Sequence, residues 1–340
     1  MTKKIFNKII DFHKNTSEDE YLNSYNFART SDLVFAESIT HEQFDKLNLI
    51  PDSYEIYENN ENYLTYRLTK FEIKDGDVVF CKTDFIFELF TLLNKIPKKI
   101  KIILITHQAA QPSIDKSMFL LKPKSVYKWF SINVDYNHPE LISIPLGLAN
   151  DYSPKNVCIS DLKGNSNLAK YNKKYLGYSN FLINTNQEKR KKIFDDYMNE
   201  SWVYKNSNIT KELYMDDIIK SKFVFTPPGW GIDTHRFWEV LYLGAIPIVE
   251  YSVNSSMFNM YPIVYYDINQ TISEVEFSNN YENKLSDLDI EKLKISWWFK
   301  NVIRIYFSKR KETVTLKYGF YNKLIKRFLK IKYNYFKFRN

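Results

Sequence analysis

Short apolar runs alternate along this chain with stretches of helical spacing, the pattern that builds a parallel sheet from repeated strand and helix units. Residues 77–81 predict a strand and 85–93 an apolar helix. Residues 100–105 predict the next strand, ending in Thr106, His107 and Gln108. A helical stretch near 116–121 precedes short strands at 125–131 and 141–144, the latter running into Pro145, Gly147 and Leu148. Parallel strands share one carboxyl edge, so Lys82, Asp84, His107 and Gly147 are expected along one crevice.

A second series begins further on. Residues 150–179 are rich in Asn, Lys, Gly and Ser without sustained periodicity and read as linker and loop. Residues 181–184 open the second sheet, with Thr185 and Asn186 at the strand end and Arg190 on a basic helix over 188–199. A short helix over 210–220 leads into FVFTPPGWGIDTHRFWEVLYLGAIPIV, residues 223–249. Beyond it lie a strand candidate at 261–267 and a long helix over 287–307 that carries Trp297 and Trp298.

The stretch 223–249 holds the densest chemistry. Phe223, Val224 and Phe225 form a strand-type run, and Pro227, Pro228, Gly229 and Gly231 forbid its continuation. Asp233 or Thr234 caps a following helix, Phe237, Val240 and Leu241 line one of its faces, and Gly244 stops it before a second buried strand. His235 and Arg236 fall in the first turn, where free backbone N–H groups and the positive dipole end favour an anion such as a diphosphate. Arg236 adds a bidentate clamp for phosphate. Glu239, on the same face, has two oxygens to offer the hydroxyls of a ribose. The competing reading makes Arg236 and Glu239 an ordinary surface ion pair.

Composition narrows the class. With 340 residues, 44% of them hydrophobic, the chain can bury one or two substantial cores. The two cysteines, Cys81 and Cys158, supply neither a disulfide framework nor clustered metal ligands, which fits a reducing compartment. No run is long and apolar enough for a membrane helix, and the basic start MTKKIFNKIIDFHKN is interrupted by Lys8 and Asp11 before a signal-type core develops. Charge is uneven: residues 308–340 carry eleven Lys or Arg against the single acid Glu312, so this tail is +10 while the rest of the +8 chain sums to −2. Leu324, Ile325, Phe328, Leu329 and Ile331 can share one helical face, with Lys323, Lys326, Arg327 and Lys330 on the other. That amphipathic pattern fits an anionic bilayer surface; the alternatives are a terminal helix packed on the body and a solvated basic tail with unspecific affinity for nucleic acid.

The run PPGWGIDTHRFWEVLYLGAIPIV resembles the nucleotide-sugar-binding segment of exostosin-type glycosyltransferases, including the ribitol xylosyltransferase group. KWFSINVDYNHPELISIPLGL (128–148) and FLINTNQEKR (181–190) are similar more loosely. The resemblance implies an α/β chain of GT-B fold, two Rossmann-like domains facing across a cleft, with the basic helical tail appended. The expected boundaries are an acceptor-side domain at 1–150, a linker at 151–178, a nucleotide-sugar-binding domain at 179–284, a long helix at 285–307 and the tail at 308–340. It implies a sugar transferred with inversion from a nucleotide-sugar, UDP-linked, to a hydroxyl of a glycan or lipid-linked glycan, in surface polysaccharide synthesis.

On that reading the donor contacts are Thr185, Asn186, Arg190, Pro228, Gly229, Gly231, Asp233, Thr234, His235, Arg236 and Glu239. No convincing DxD-type metal motif is present, since Asp216 and Asp217 sit adjacent on a helix. No metal or other cofactor is therefore expected: Arg236, aided by Arg190 and the helix amides, holds the diphosphate. The base that takes the acceptor proton is Asp84 or His107, of which His107 has the better ordinary pKa. His138 precedes Pro139 in a surface turn, and His13 and His41 have no supporting context. Exostosin-type enzymes of eukaryotes usually carry a Golgi signal anchor; without one, the expectation is a bacterial or viral cytoplasmic relative, peripheral on the inner membrane face through the tail. Nucleic acid is not the expected partner. Two other classes stay open, a GDP-sugar-dependent transferase of fucosyltransferase type and an inactive GT-B binding module.

Overall fold

The computed structural model describes residues 2–339 except 98, 110, 154, 164, 170–171, 253–254, 267–273 and 307–311. It is a mixed α/β chain with two largely or wholly parallel sheets, divided between two compact units. Unit 1 comprises residues 1–23 and 145–297, and unit 2 residues 24–144 and 298–340.

Unit 2 is built on strands β1 (Leu33–Ile39), β2 (Tyr54–Asn59), β3 (Leu64–Leu68), β4 (Lys70–Lys74), β5 (Val78–Lys82), β6 (Ile102–His107), β7 (Val126–Ser131) and β8 (Leu141–Ser143). Seven of them form one sheet in the order β2-β3-β1-β5-β6-β7-β8. The run from β1 through β5, β6 and β7 to β8 is parallel, while β2 and β3 form an antiparallel flap at one edge. The apolar runs of β5 and β6 are buried on both faces, as a covered parallel sheet demands. A short 3-10 turn, Thr83–Phe85, joins β5 to the fully buried helix Ile86–Leu93. These elements follow the apolar pattern closely.

Unit 1 carries a fully parallel five-stranded sheet made of β9 (Tyr175–Ser179), β10 (Val203–Lys205), β11 (Ser221–Phe225), β12 (Ile246–Glu250) and β13 (Val264–Tyr266). Its order is β10-β9-β11-β12-β13, the doubly wound 2-1-3-4-5 arrangement whose strand order reverses between β9 and β11. The expected strand at 181–184 is instead a turn, with a 3-10 piece at Ile183–Thr185. The strand itself is β9, inside the stretch read as linker. Its sequence, YLGYS, hides the signal because Gly177 interrupts the apolar run. The Trp202 ring lies where a Cβ on Gly177 would sit, so this glycine serves close packing. Of the strand candidate at 261–267, residue 267 lies outside the described residues.

Both chain ends depart from the expected boundaries. Residues 1–23 belong to unit 1, where the Thr2–Asn15 helix buries Phe6, Ile9 and Phe12. His13, read without context, is buried: its Nε2–H donates to the Tyr242 carbonyl (2.9 Å) and its Nδ1 accepts from the Tyr21 hydroxyl (2.9 Å). Burial lowers its pKa to about 4. Tyr242 completes the knot, its hydroxyl accepting from Leu22 N (2.9 Å) and donating to Leu293 O (2.7 Å). Gly244, at φ +74°, ends the His235–Tyr242 helix in the left-handed turn that the sequence predicts there.

The expected helix over 287–307 is broken into a 3-10 turn Ile290–Leu293, a short helix Ile295–Trp298, a π turn Phe299–Ile303 and a 3-10 turn Arg304–Tyr306. Residue 307 and residues 308–311 of the expected tail lie outside the described residues. Lys294 is extended and bridges to Tyr21, which prevents a continuous helix, and the unit boundary follows Trp297. The remaining tail is part of unit 2. Strand β14 (Thr313–Lys317) pairs antiparallel with β4, Val314 opposite Ile73 and Leu316 opposite Phe71. The Phe320–Arg339 helix then packs on Ile86–Leu93, burying Leu329 and Asn322, whose amide donates to Thr91 Oγ1 (2.7 Å).

Candidate functional site

The strand reversal in unit 1 places two loops side by side at the carboxyl edge, one after β9 and one after β11, and such switch points are where open α/β sheets bind ligands. The first loop supplies Asn180, Thr185 and Asn186 and then the Gln187–Tyr197 helix with Arg190. The second is residues 226–234, closed by the His235–Tyr242 helix with Thr234 at its N-cap.

Arg190 is the pin between them. It is buried, and its guanidinium donates to Pro228 O (2.9 Å), Leu182 O (2.8 Å) and Pro227 O (3.3 Å). Asn186 adds a bond from its side-chain amide to Gly229 O (3.1 Å). Burial, with Arg236 nearby, lowers the Arg190 pKa to about 10. The expected phosphate contact is thus mainly a loop organiser, with three of its five N–H groups on backbone carbonyls. A Cβ on Gly229 would stand 3.0 Å from the Arg190 Nη2. Gly229→Ala is therefore expected to shift that guanidinium and destabilise unit 1 by about 1–2 kcal/mol in denaturant titration; an unchanged midpoint would show that the loop accommodates the methyl freely.

Arg236 is held differently. Its Nε–H donates to the Tyr214 hydroxyl (3.2 Å) and its Nη2 to Asn180 O (3.0 Å), with the guanidinium 5.7 Å from the Tyr214 ring centroid. These bonds fix the plane of the fork and occupy two of its five N–H groups. Tyr214 lies on the Lys211–Lys220 helix and also donates to Glu239 Oε2 (2.7 Å). Glu239 is buried, and its Oε1 accepts a long bond from Val157 N (3.4 Å). Arg236 and Glu239 are not a surface ion pair. They are joined through the Tyr214 hydroxyl, which the sequence reading missed because one tyrosine among 26 carries no motif.

The start of the His235–Tyr242 helix is anchored to Leu146 and Gly147. Asp233 Oδ2 accepts from Leu146 N (2.8 Å) and from Trp238 Nε1 (3.0 Å), and His235 Nδ1 donates to Gly147 O (2.8 Å). Burial raises the Asp233 pKa to about 7. Gly147, expected beside His107 in one crevice, therefore belongs to unit 1 and serves this helix. Asp233 is an internal anchor rather than an open donor contact. Gly231 closes the loop by accepting from Gly229 N (3.0 Å). Two hydroxyls at this edge, Thr185 Oγ1 and Tyr266 Oη at the end of β13, are buried and lack a protein partner.

The two candidate bases lie in unit 2. Lys82 and His107 are register partners at the ends of β5 and β6, and Asp84 follows in the adjoining turn. Asp84 is 46% exposed and paired with Lys82. His107 is buried between Phe27 and Phe80, and its Nδ1 accepts from Gln108 N (2.8 Å). Gln108 itself takes a left-handed backbone, φ 68°, and its side chain bonds Ser38 N, Ser38 O and Ser24 Oγ. His107 is thus built into the fold, and Asp84 is the candidate open to a substrate. Among the described residues no group of three or more His, Cys, Asp or Glu side chains could hold a metal ion.

No protein-family model and no curated protein sequence matches the chain. Among solved structures, the chain is similar at 10% identity and a TM-score of 0.26 to the pneumococcal O-GlcNAc transferase GtfA in complex with UDP and GlcNAc. That match covers 78% of this chain and 56% of the other, so the chain spans little more than half the length of that protein.

Proposed function

We propose that the chain is a glycosyltransferase of GT-B type in which unit 1 binds a nucleotide-sugar. The observation that carries the reading is the fork of Arg236. It is oriented by Tyr214 and Asn180 at the first turn of a helix, at the point where the strand order reverses, with N–H groups left for an anion. A diphosphate seated there receives the helix amides and the guanidinium, which stabilise the charge that develops as the nucleoside diphosphate departs. Thr185 and Tyr266 offer hydroxyls to the same ligand. Glu239 acts first as the residue that positions Tyr214. A role on the ribose requires it to exchange its long Val157 contact for a sugar hydroxyl.

The remaining steps belong to the same proposal. The acceptor, a hydroxyl of a glycan or lipid-linked glycan in surface polysaccharide synthesis, gives its proton to Asp84, and His107 holds the neighbouring strand end. Transfer inverts the anomeric centre without a metal, the donor is UDP-linked, and the enzyme works in the cytoplasm. Thermal unfolding of the whole chain with UDP, GDP and CMP tests the donor. UDP at about 100 times its Kd is expected to stabilise the protein by about 2.7 kcal/mol. A shift with GDP alone moves the donor to a GDP-sugar; no shift with any nucleotide overturns the reading in favour of a binding module.

A further inference from the structure

The outward face of the Phe320–Arg339 helix forms an apolar stripe whose membership differs from the one the sequence pattern predicts. That pattern puts Leu329 on one face with Leu324, Ile325, Phe328 and Ile331, but Leu329 points inward with Asn322. At 3.6 residues per turn, Phe320, Leu324, Phe328, Ile331, Tyr335 and Phe338 follow one another along the opposite side. All are exposed, Phe328 at 64%, Ile331 at 67% and Phe338 at 93%. The packed side is held by specific bonds: Asn322 to Thr91, Lys95 to Asn322, Lys326 to Glu88, and Tyr333 to Asp115 (3.3 Å). The stripe is therefore presented by a helix already folded and fastened.

Its borders identify the occupant. The helix holds seven Lys or Arg and no acid. Lys323, Arg327, Lys330 and Lys337 run along one flank of the stripe, and Lys332 and Arg339 along the other. Among the described residues only Lys326 of these cations has an acidic partner. The geometry points to an anionic lipid bilayer, on which the helix lies in plane with the stripe in the acyl boundary and the cations at the headgroups. A second copy of the chain would bring two like-charged helices together. Nucleic acid would meet Leu324 and Ile331, which neither stack on bases nor pair with phosphate, at the centre of the face. No helix among the described residues is long and apolar enough to cross a membrane, so the contact is with the surface.

Flotation of the 340-residue chain with pure phosphatidylcholine vesicles and with vesicles containing about one third phosphatidylglycerol tests this. Binding is expected to be about tenfold or more tighter to the anionic vesicles and to weaken with salt. The double variant Phe328→Glu, Ile331→Glu should lose that binding about tenfold or more at an unchanged Tm, since both side chains are exposed. The variant Lys323→Glu, Arg327→Glu should lose the preference for anionic lipid. Equal affinity for both vesicles, or full binding by the Phe328→Glu, Ile331→Glu variant, overturns the proposal. So does tight binding of a single-stranded oligonucleotide that displaces the lipid, which would assign the face to nucleic acid.

Discussion

Arg236→Ala should lower transfer by about 100- to 1,000-fold, the effect of removing one preorganised charged donor from a departing oxyanion. It should also abolish the stabilisation by nucleoside diphosphate. The argument rests on preorganisation: the Tyr214 hydroxyl and Asn180 carbonyl hold the guanidinium plane before any ligand arrives, so little reorganisation is needed during the reaction. Two companion variants separate charge from geometry. Arg236→Lys keeps the charge but loses the fork and should recover only a small part of the activity. Tyr214→Phe keeps the fork's Asn180 bond and frees Glu239 from its 2.7 Å partner, so the loss should be smaller, about tenfold. Wild-type turnover by Arg236→Ala, measured with the donor that UDP or GDP stabilisation identifies, would remove the basis of the assignment.

Much of this site was legible in the sequence because backbone chemistry writes it. A strand-type run, prolines that end it, and a glycine that stops the next helix fix β11, the loop and the His235–Tyr242 helix within a residue or two. Pairings between distant segments were not legible. β9 looked like linker because its glycine makes room for Trp202, and no local pattern says that residue 177 will meet residue 202. The Thr2–Asn15 helix read as a bare basic start, although its Phe6, Ile9 and Phe12 are buried within unit 1, Phe6 and Ile9 against Gly244. The tail's period-two strand, Val314 and Leu316, was masked by its lysines and needed β4 as a partner. Arg190 shows the same limit in chemistry: a buried arginine on three carbonyls and a phosphate clamp have the same letter. Which one it is depends on where Pro227, Pro228 and Leu182 lie.

Two buried groups in unit 1 should make the stability of the chain depend on pH in opposite directions. Asp233, raised by burial to about 7 from 3.8, favours the fold when protonated. Its contribution is fully present below about pH 4, falls as pH rises, and is lost above about pH 7, a change of about 4 kcal/mol. His13, lowered by burial to about 4 from 6.5, favours the fold when neutral. Its contribution is fully present above about pH 6.5 and is lost as pH falls toward 4, a change of about 3 kcal/mol. Asp233→Asn separates the two: an amide oxygen in the Oδ2 position keeps the bonds to Leu146 N and Trp238 Nε1 without a charge, and the lost Trp238 contact to Oδ1 (3.1 Å) is an offset that does not vary with pH. The variant retains His13, so the difference in unfolding free energy between variant and wild type isolates Asp233. That difference should grow in favour of the Asp233→Asn variant as pH rises from about 5 to 7 and then level off. A wild-type advantage that increases over the same interval would mean that Leu146 is held by an ionised carboxylate, which reverses the electrostatics of the proposed diphosphate seat.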